Sequence, residues 1–172
     1  MRFSRSLQNA LTTTILATLF LITPDSTIAQ GAGLVFGIGV QTQANTDDGF
    51  GAGLRGRLSA PVTADLSFAA GLGFSSHFLN GRNETVFSFD PQISAILTMP
   101  GVTSAMYFMA GVGVYLSTGG NNGDHNGPTL HFGIGGVRAL KDGALFYEIN
   151  PAVIIKNTSL ALSVPIRLGI IL

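Results

Sequence analysis

The sequence predicts an all-β protein, an eight-stranded antiparallel up-and-down transmembrane β-barrel preceded by a signal peptide. Hydrophobic residues make up 46% of the 172 residues and charged residues 10%, against roughly 25% charged in an average soluble protein. Beyond residue 30 no apolar run reaches the roughly 18–20 residues that a spanning helix needs. Large apolar residues instead alternate with small or polar ones at a period of two, which is typical of strands that face lipid.

The first 29 residues have the organisation of a signal peptide. Arg2 and Arg5 form a basic start, residues 15–22 form a short apolar core, and residues 26–29 offer small side chains before a cleavage point. An uncleaved N-terminal anchor is the alternative, for which this apolar core is short. We therefore predict two segments, with boundaries 1–29 for the signal peptide and 30–172 for the outer-membrane barrel domain.

Eight stretches of the remaining chain carry the alternating pattern. The last is the clearest, because Leu160, Leu162 and Val164 face one way while Ala161 and Ser163 face the other. An even strand number is expected when both ends of a single-chain barrel lie on the same side of the membrane. The predicted strands cover residues 33–41, 50–58, 66–74, 87–97, 106–116, 130–135, 145–153 and 160–172.

The connections between these strands differ in character. Those after the second, fourth and sixth strands are short, and the latter two contain Pro-Gly and Asp-Gly, dipeptides that favour tight turns. Those after the first, third and fifth strands are longer and polar, as expected of outer loops. The short turns are residues 59–63, 99–102 and 141–143, and the longer loops are residues 43–49, 75–84 and 117–128.

A soluble β-barrel or sandwich also alternates, so the composition of the second face matters. In a soluble domain that face meets water and is rich in charged residues and Thr. Here it consists mostly of Gly, Ala and Ser, which suit a confined lumen. Closing the sheet also satisfies every backbone donor and acceptor without water, as lipid requires. The pattern favours the membrane barrel, with a secreted soluble β-domain as the alternative.

The chain resembles the small bacterial outer-membrane β-barrels of the OmpA/OmpX kind. The resemblance covers nearly all of the mature chain as a pattern, and its most specific part is the C-terminal strand. There Arg167, Gly169, Ile170 and Leu172 are similar to the barrel-assembly signal, although the chain ends in Leu172 where the family has an aromatic residue. The aromatic content also departs from the family, with no Trp and three Tyr. The resemblance implies an outer-membrane location, with outer-membrane lipid and the barrel-assembly machinery as partners.

The alternation predicts a polar network inside the barrel. An eight-stranded barrel is just wide enough for side chains to fill, and buried charges are tolerated when they are paired. We expect a balance of three arginines and three acids, with Asp65 as the third acid at one end of the lumen. The strand 7–8 hairpin predicts a cross-strand ion pair between Glu148 and Arg167. The predicted lumen residues are Arg55, Arg57, Asp90, Gln92, Tyr107, His131, Glu148, Asn150 and Arg167.

Three functional classes follow from this interpretation. The first is a non-enzymatic barrel that serves envelope integrity or presents its loops to an extracellular ligand at residues 43–49, 75–84 or 117–128. The second is a narrow porin-like pore for ions or small solutes, which the many lumen glycines would accommodate. The zero net charge gives no indication of a nucleic-acid partner.

The third class is a lipid-modifying enzyme, which needs a nucleophile, a base and an orienting acid within hydrogen-bond reach. We do not favour it, because Gly133 occupies the position where a barrel deacylase has its serine. We expect no catalytic, cofactor or metal site, and we interpret His77 and His125 as solvated loop residues. The residues considered for catalysis are Ser75, Ser76, His77, Asp124, His125, His131 and Glu148.

Overall fold

The computed structural model describes residues 33–79, 85–99, 101, 104–119 and 125–172. The predicted signal peptide lies outside the described residues. Within those ranges, no helix is long and apolar enough to cross a membrane.

A single antiparallel sheet contains all the described strands. The first seven strands pair in sequence order, the ninth pairs with both the seventh and the eighth, and the first pairs with the ninth, from Gly37 opposite Ile171 to Asn45 opposite Ser163. This last pairing closes the sheet into a barrel, as predicted. The strands are β1 (Val35–Asn45), β2 (Gly49–Pro61), β3 (Leu66–Leu79), β4 (Val86–Met99), β5 (Ser104–Ser117), β6 (Gly127–Leu140), β7 (Gly143–Ile149), β8 (Ala152–Ile155) and β9 (Leu160–Ile171).

The seventh position in the wall is shared by two short strands. Both β7 and β8 lie between β6 and β9, and Asn150 and Pro151 interrupt them. The barrel therefore has eight strand positions, although the sequence predicted an unbroken seventh strand. The break has a physical cause, since Pro151, and Pro165 opposite Asn150 on β9, have no N–H to donate to the ladder.

The two ends of the barrel differ in their connections. At one end, the turn end, residues 62–65 and 141–142 make short reversals, and Gly143 adopts a φ of 146° that favours glycine. At the other, the loop end, the strands extend further than predicted. β1 continues to Asn45, β3 continues to Leu79, and β6 starts at Gly127. The predicted loop bounds were wrong there because inward-facing polar side chains resemble a loop in sequence.

The outer face of the barrel is apolar. On β5, for example, Met106, Phe108 and Val112 are 51%, 47% and 54% exposed, and the same holds around the whole circumference. Soluble monomers rarely expose contiguous apolar patches above a few hundred Å², so this surface is built for lipid. The soluble alternative is therefore excluded, and the fold is a transmembrane barrel.

The inside of the barrel changes character along its axis. Near the turn end, Ala69, Ile96, Tyr107 and Met109 form a buried apolar cluster against which Val137 packs. The middle and the loop end are mostly polar, apart from a small cluster of Tyr115, Ile154 and Ala161 and the buried Val86 and Ala152. The candidate functional site lies in the middle.

Candidate functional site: a polar network across the lumen

Glu148 is the centre of the network in the lumen. Its Oε2 accepts hydrogen bonds from Arg57 Nη1 at 2.9 Å and from the Tyr107 hydroxyl at 2.6 Å. Its Oε1 accepts one from Arg167 Nη1 at 2.6 Å. Glu148 and Arg167 are direct partners in the β7–β9 register, which confirms the predicted cross-strand pair. Arg57 belongs to β2, which β1 and β9 separate from β7, so its bond to Glu148 crosses the lumen.

A second carboxylate, Asp90 on β4, extends the network. Arg55 Nη1 lies 2.7 Å from Asp90 Oδ2, and Arg55 Nη2 donates to Gln92 Oε1 at 2.6 Å. Arg167 Nη2 lies 3.7 Å from the same Asp90 oxygen and so connects the two carboxylates. Arg167 Nε also donates to Gln41 Oε1 at 3.1 Å. Side chains from β1, β2, β4, β7 and β9 thus meet in one connected group.

Two further predicted lumen residues lie at the edge of this group. His131 Nε2 is 2.9 Å from Ser94 Oγ. With its amide oxygen toward Arg167, Asn150 accepts from Nη1 at 2.7 Å and donates to the Phe132 carbonyl at 3.3 Å. Both side chains are fully buried. All nine predicted lumen side chains therefore point inward.

Asp65 does not take part in the network, and the prediction of three acids was wrong. Asp65 is exposed in the turn between β2 and β3. Its position next to the strand boundary made the direction of its side chain unreadable from the alternation. The described network therefore pairs three arginines with two carboxylates, Asp90 and Glu148.

Arg57 has an additional support that the sequence did not indicate. Its guanidinium carbon lies 5.0 Å from the centre of the Phe146 ring and 5.6 Å from that of Tyr107. Both distances allow a cation–π attraction. The rings of Phe146 and Tyr107 thus both lie against the Arg57 guanidinium.

Glycines on β3 make room for the long side chains. A Cβ built on Gly71 would lie 2.5 Å from Arg55 Nη2, and one on Gly73 would overlap the Asp90 carboxylate. Real Cβ contacts are essentially never that short. The space beside these glycines is therefore filled by neighbouring side chains, so glycine-rich stretches of the inner face do not leave the lumen empty.

A separate polar cluster closes the loop end. Asp48, between β1 and β2, accepts the Tyr115 hydroxyl at 2.9 Å and lies 2.5 Å from His125 Nδ1. His77 is fully buried and contacts Tyr115, Gln43 and Ser88 through Nε2. The prediction that His77 and His125 are solvated loop residues was wrong for both, since His125 is 12% exposed.

The residues considered for catalysis do not form a triad. Ser75 accepts a hydrogen bond from Gln41 at 2.8 Å, and Ser76 lies on the opposite face of β3 from His77. His131 pairs with Ser94 rather than with Glu148. Asp124 lies outside the described residues. Among the residues described, no group of three or more His, Cys, Asp or Glu could hold a metal ion.

The predicted assembly residues lie along the seam between β1 and β9. Gly169 is opposite Gly39, and Leu172 donates its backbone N–H to the Phe36 carbonyl at 2.8 Å. A Cβ built on Gly169 would overlap the Ile38 carbonyl and approach Gly39 Cα to 2.6 Å. The backbones therefore approach closely at the seam, and Gly169 has a steric role there.

Solved structures with the same architecture are similar to this chain at low sequence identity. Neisserial surface protein A is 16% identical with a TM-score of 0.66, over 83% of this chain and 99% of that one. The N-terminal β-barrel domain of Pseudomonas aeruginosa OprF is 14% identical with a TM-score of 0.54, over 83% and 100%. Ail of Yersinia pestis, in complex with the heparin analogue sucrose octasulfate, is 10% identical with a TM-score of 0.54, over 82% and 99%.

No protein-family model matches the sequence, and no curated protein matches it significantly. The structural similarity therefore defines the fold. This chain has the fold of the eight-stranded outer-membrane β-barrels, with a polar network across its lumen.

Proposed function

We propose that this chain is an integral outer-membrane barrel without enzymatic activity, which serves envelope integrity or surface-loop interactions. In this proposal residues 1–29 are a cleaved signal peptide, the turn end faces the periplasm and the loop end faces outward. The apolar outer face and the short turns support this orientation.

The network around Glu148 is the observation that carries the proposal. Arg57 and Arg167 both bond to Glu148, at 2.9 and 2.6 Å, the Arg57 bond crosses the lumen, and the three side chains are at most 9% exposed. The wall supplies further partners through Gln41 and Tyr107. An ion that passed through would have to displace paired, desolvated charges, which is costly. We therefore expect the lumen to be closed to solutes.

Two measurements test this proposal in sequence. Folded protein should migrate differently on a gel before and after boiling, because a closed barrel resists SDS until it is heated. In a planar lipid bilayer at neutral pH, the same preparation should produce no regular conductance steps. Reproducible steps of one size, absent when boiled protein is added, would contradict a closed lumen.

The pore is the second candidate, and one observation favours it. Several buried polar atoms have no hydrogen-bond partner among the described residues, including Asp90 Oδ1, Thr129 Oγ1 and His131 Nδ1. Such atoms are ordinarily satisfied by buried water, so the lumen holds room for some. Regular conductance in the experiment above would select this candidate.

We also propose that Arg167, Gly169, Ile170 and Leu172 act as the signal for the barrel-assembly machinery. Gly169→Ala should destabilise the barrel by about 1–3 kcal/mol, the usual cost of overpacking, and lower the folded yield in the outer membrane. Gly56→Ala is the matched control, since a Cβ at Gly56 meets nothing within 4 Å. Equal folded yields for the two variants would remove the steric argument for Gly169.

Two roles outside the lumen complete the proposal. The connections at the loop end, which lie within the predicted ranges 43–49, 75–84 and 117–128, are the candidate contacts for an extracellular ligand. Ail, a structural neighbour, has been crystallised with a sulfated sugar analogue, so sucrose octasulfate is a reasonable first probe. For the absence of enzymatic activity, lipid A from cells expressing the protein should have an unchanged mass. A mass shift that the His131→Ala variant abolishes would instead establish a lipid-modifying enzyme.

A further inference from the structure

Two adjacent acids in the turn between β1 and β2 bond to other connections at the loop end. Asp47 pairs with Lys156 of the β8–β9 turn at 2.7 Å. Asp48 Oδ1 lies 2.5 Å from Nδ1 of His125, two residues before β6 begins, and Asp48 Oδ2 accepts the Tyr115 hydroxyl at 2.9 Å. The β1–β2 turn is therefore tied to the connections that precede β6 and β9.

The two acids differ in their surroundings. The Asp47 side chain is 22% exposed, whereas the Asp48 side chain is fully buried. Gly119 packs directly on the Asp48 carboxylate, since a Cβ built on Gly119 would lie 2.5 Å from Oδ1. Among the described residues, His125 is the one ionisable base within ion-pair distance of Asp48. We call Asp48, Tyr115, Gly119 and His125 the loop-end clasp.

A series of hydrogen bonds leads from the clasp into the lumen. The Tyr115 hydroxyl lies 3.2 Å from His77 Nε2, and the same nitrogen lies 3.0 Å from Ser88 Oγ. His77 is fully buried and Ser88 is 2% exposed. Because Asp48 at the outer end of this series is also buried, the clasp keeps water from Ser88.

The clasp and the network around Glu148 use different cations. The carboxylates of the network pair with arginines, which keep their charge at any physiological pH. A histidine changes its charge between about pH 5 and 8. When His125 has no proton to carry the charge, Asp48 is a buried carboxylate without a counterion, which is unfavourable. The clasp is therefore weaker at the upper end of this pH range, and the network is not.

Other titratable groups near the clasp come from four elements of the described chain. Tyr115 belongs to β5, His77 to β3, and the Asp47–Lys156 pair to the two neighbouring turns. Asp90 on β4 follows Ser88 by two residues on the inward face and is held in the network. Of these groups, only His77 is of a type that ordinarily titrates near neutral pH, so an experiment must separate the two histidines.

We propose that the loop-end clasp is a pH-dependent closure of the outer end of the barrel. It holds while His125 is charged and loosens as the pH rises and His125 loses its proton, with the barrel still folded. The network around Glu148 stays paired at both pH values and keeps the lumen closed below the clasp. The inference deepens the proposed function and rests on its orientation, in which the loop end meets the external medium.

An introduced thiol reports on the clasp, because the chain contains no cysteine. Ser88→Cys places the thiol at the inner end of the hydrogen-bond series. Ser159→Cys, in the exposed β8–β9 turn, records how the reagent itself depends on pH. The full mature barrel in detergent micelles is labelled with a charged methanethiosulfonate at pH 6 and at pH 8. The rate for Ser88→Cys relative to Ser159→Cys should rise about fivefold, the value of one hydrogen bond.

Substitutions in the Ser88→Cys background assign the effect to the clasp. His125→Gln can still donate a hydrogen bond but carries no charge, so labelling should be fast at both pH values. Asp48→Asn removes the buried charge and should also abolish the pH dependence. Asp47→Asn is the matched control on the adjacent acid, and His77→Gln is the control for the other histidine. Both controls should keep the pH dependence.

Heat-modifiability on a gel first establishes that each variant is folded. If Ser88→Cys does not fold, Ser75→Cys takes its place, since Ser75 is buried and lies opposite Ser88 in the β3–β4 register.

The proposal is overturned if the relative labelling rate is the same at pH 6 and pH 8, or if His125→Gln retains the pH dependence. It is also overturned if Asp47→Asn or His77→Gln abolishes it. Conductance does not enter this ratio. A pore would contradict the closed lumen and leave the labelling result standing, so the two failures are distinguishable.

Discussion

The two halves of the lumen are held together by different forces. Toward the turn end, Ile96, Tyr107 and Met109 pack as an apolar core that excludes water. Toward the loop end, Gln43, His77 and other polar side chains are joined by hydrogen bonds. Apolar packing depends on shape and volume, whereas the polar half depends on donors and acceptors being matched. The lumen therefore has an apolar core at the turn end and hydrogen-bonded polar side chains at the loop end, called the polar mouth below. The Arg–Glu network lies between them.

The largest expected loss of stability comes from disrupting the Arg–Glu network that lies between the two halves. Glu148→Ala leaves Arg57 and Arg167 buried without their main partner, and breaking a buried pair costs about 3–5 kcal/mol. Urea unfolding of the barrel in phospholipid vesicles measures this loss. The accompanying control is Ser94→Ala, which removes a buried polar group that bonds to His131 outside the ionic pairs. A loss for Glu148→Ala no larger than that of the control would show that the network is not the main constraint.

Paired substitutions compare the halves directly. Ile96→Ala leaves a cavity in the turn-end core and should cost about 2–5 kcal/mol. Ser88→Ala removes one partner of His77, which keeps Gln43 and Tyr115, and should cost about 0.5–1.5 kcal/mol. The same unfolding assay applies to both. If Ser88→Ala lowers the free energy of unfolding as much as Ile96→Ala, the polar mouth stabilises the barrel as much as the apolar core does.

The smallest effect is expected at the outer rim. Lys156 Nζ lies 2.7 Å from Asp47 Oδ2 and ties the β8–β9 turn to the β1–β2 turn. Both side chains are partly exposed, so Asp47→Asn should cost about 0.2–1 kcal/mol. The cost should fall further in high salt, because the pair is screened. A larger loss that does not depend on salt would mean that the Asp47–Lys156 pair behaves as a buried pair rather than as a screened surface pair.

The sequence was most informative where the alternation was regular. Period-two alternation predicted the strands and the inward direction of all nine lumen side chains, because one face of each strand must meet lipid. The short hairpin near Asn157 also set the register that pairs Glu148 with Arg167. In these cases the prediction depended only on one strand or on two strands joined by a short hairpin.

Contacts across the lumen could not be predicted in the same way. The Arg57–Glu148 bond joins strands that are not neighbours, and their relative height depends on the stagger at which the sheet closes. Strand ends at the mouth were also misassigned, since polar inward side chains such as Gln43 and His77 resemble a loop. The proline at 151 was a readable indication of the broken seventh strand, because proline removes a ladder bond.

The broken strand also sets where the wall should yield under force. Asn150 donates its N–H to the Pro165 carbonyl at 3.1 Å, and Phe132 donates to the Pro151 carbonyl at 3.0 Å. Neither proline can return a bond, so each pair has one where a regular closely bonded pair has two. Pulled from its C-terminus in a single-molecule experiment, β9 should therefore detach first from β7 and then from β8, in two steps that are separated at this level.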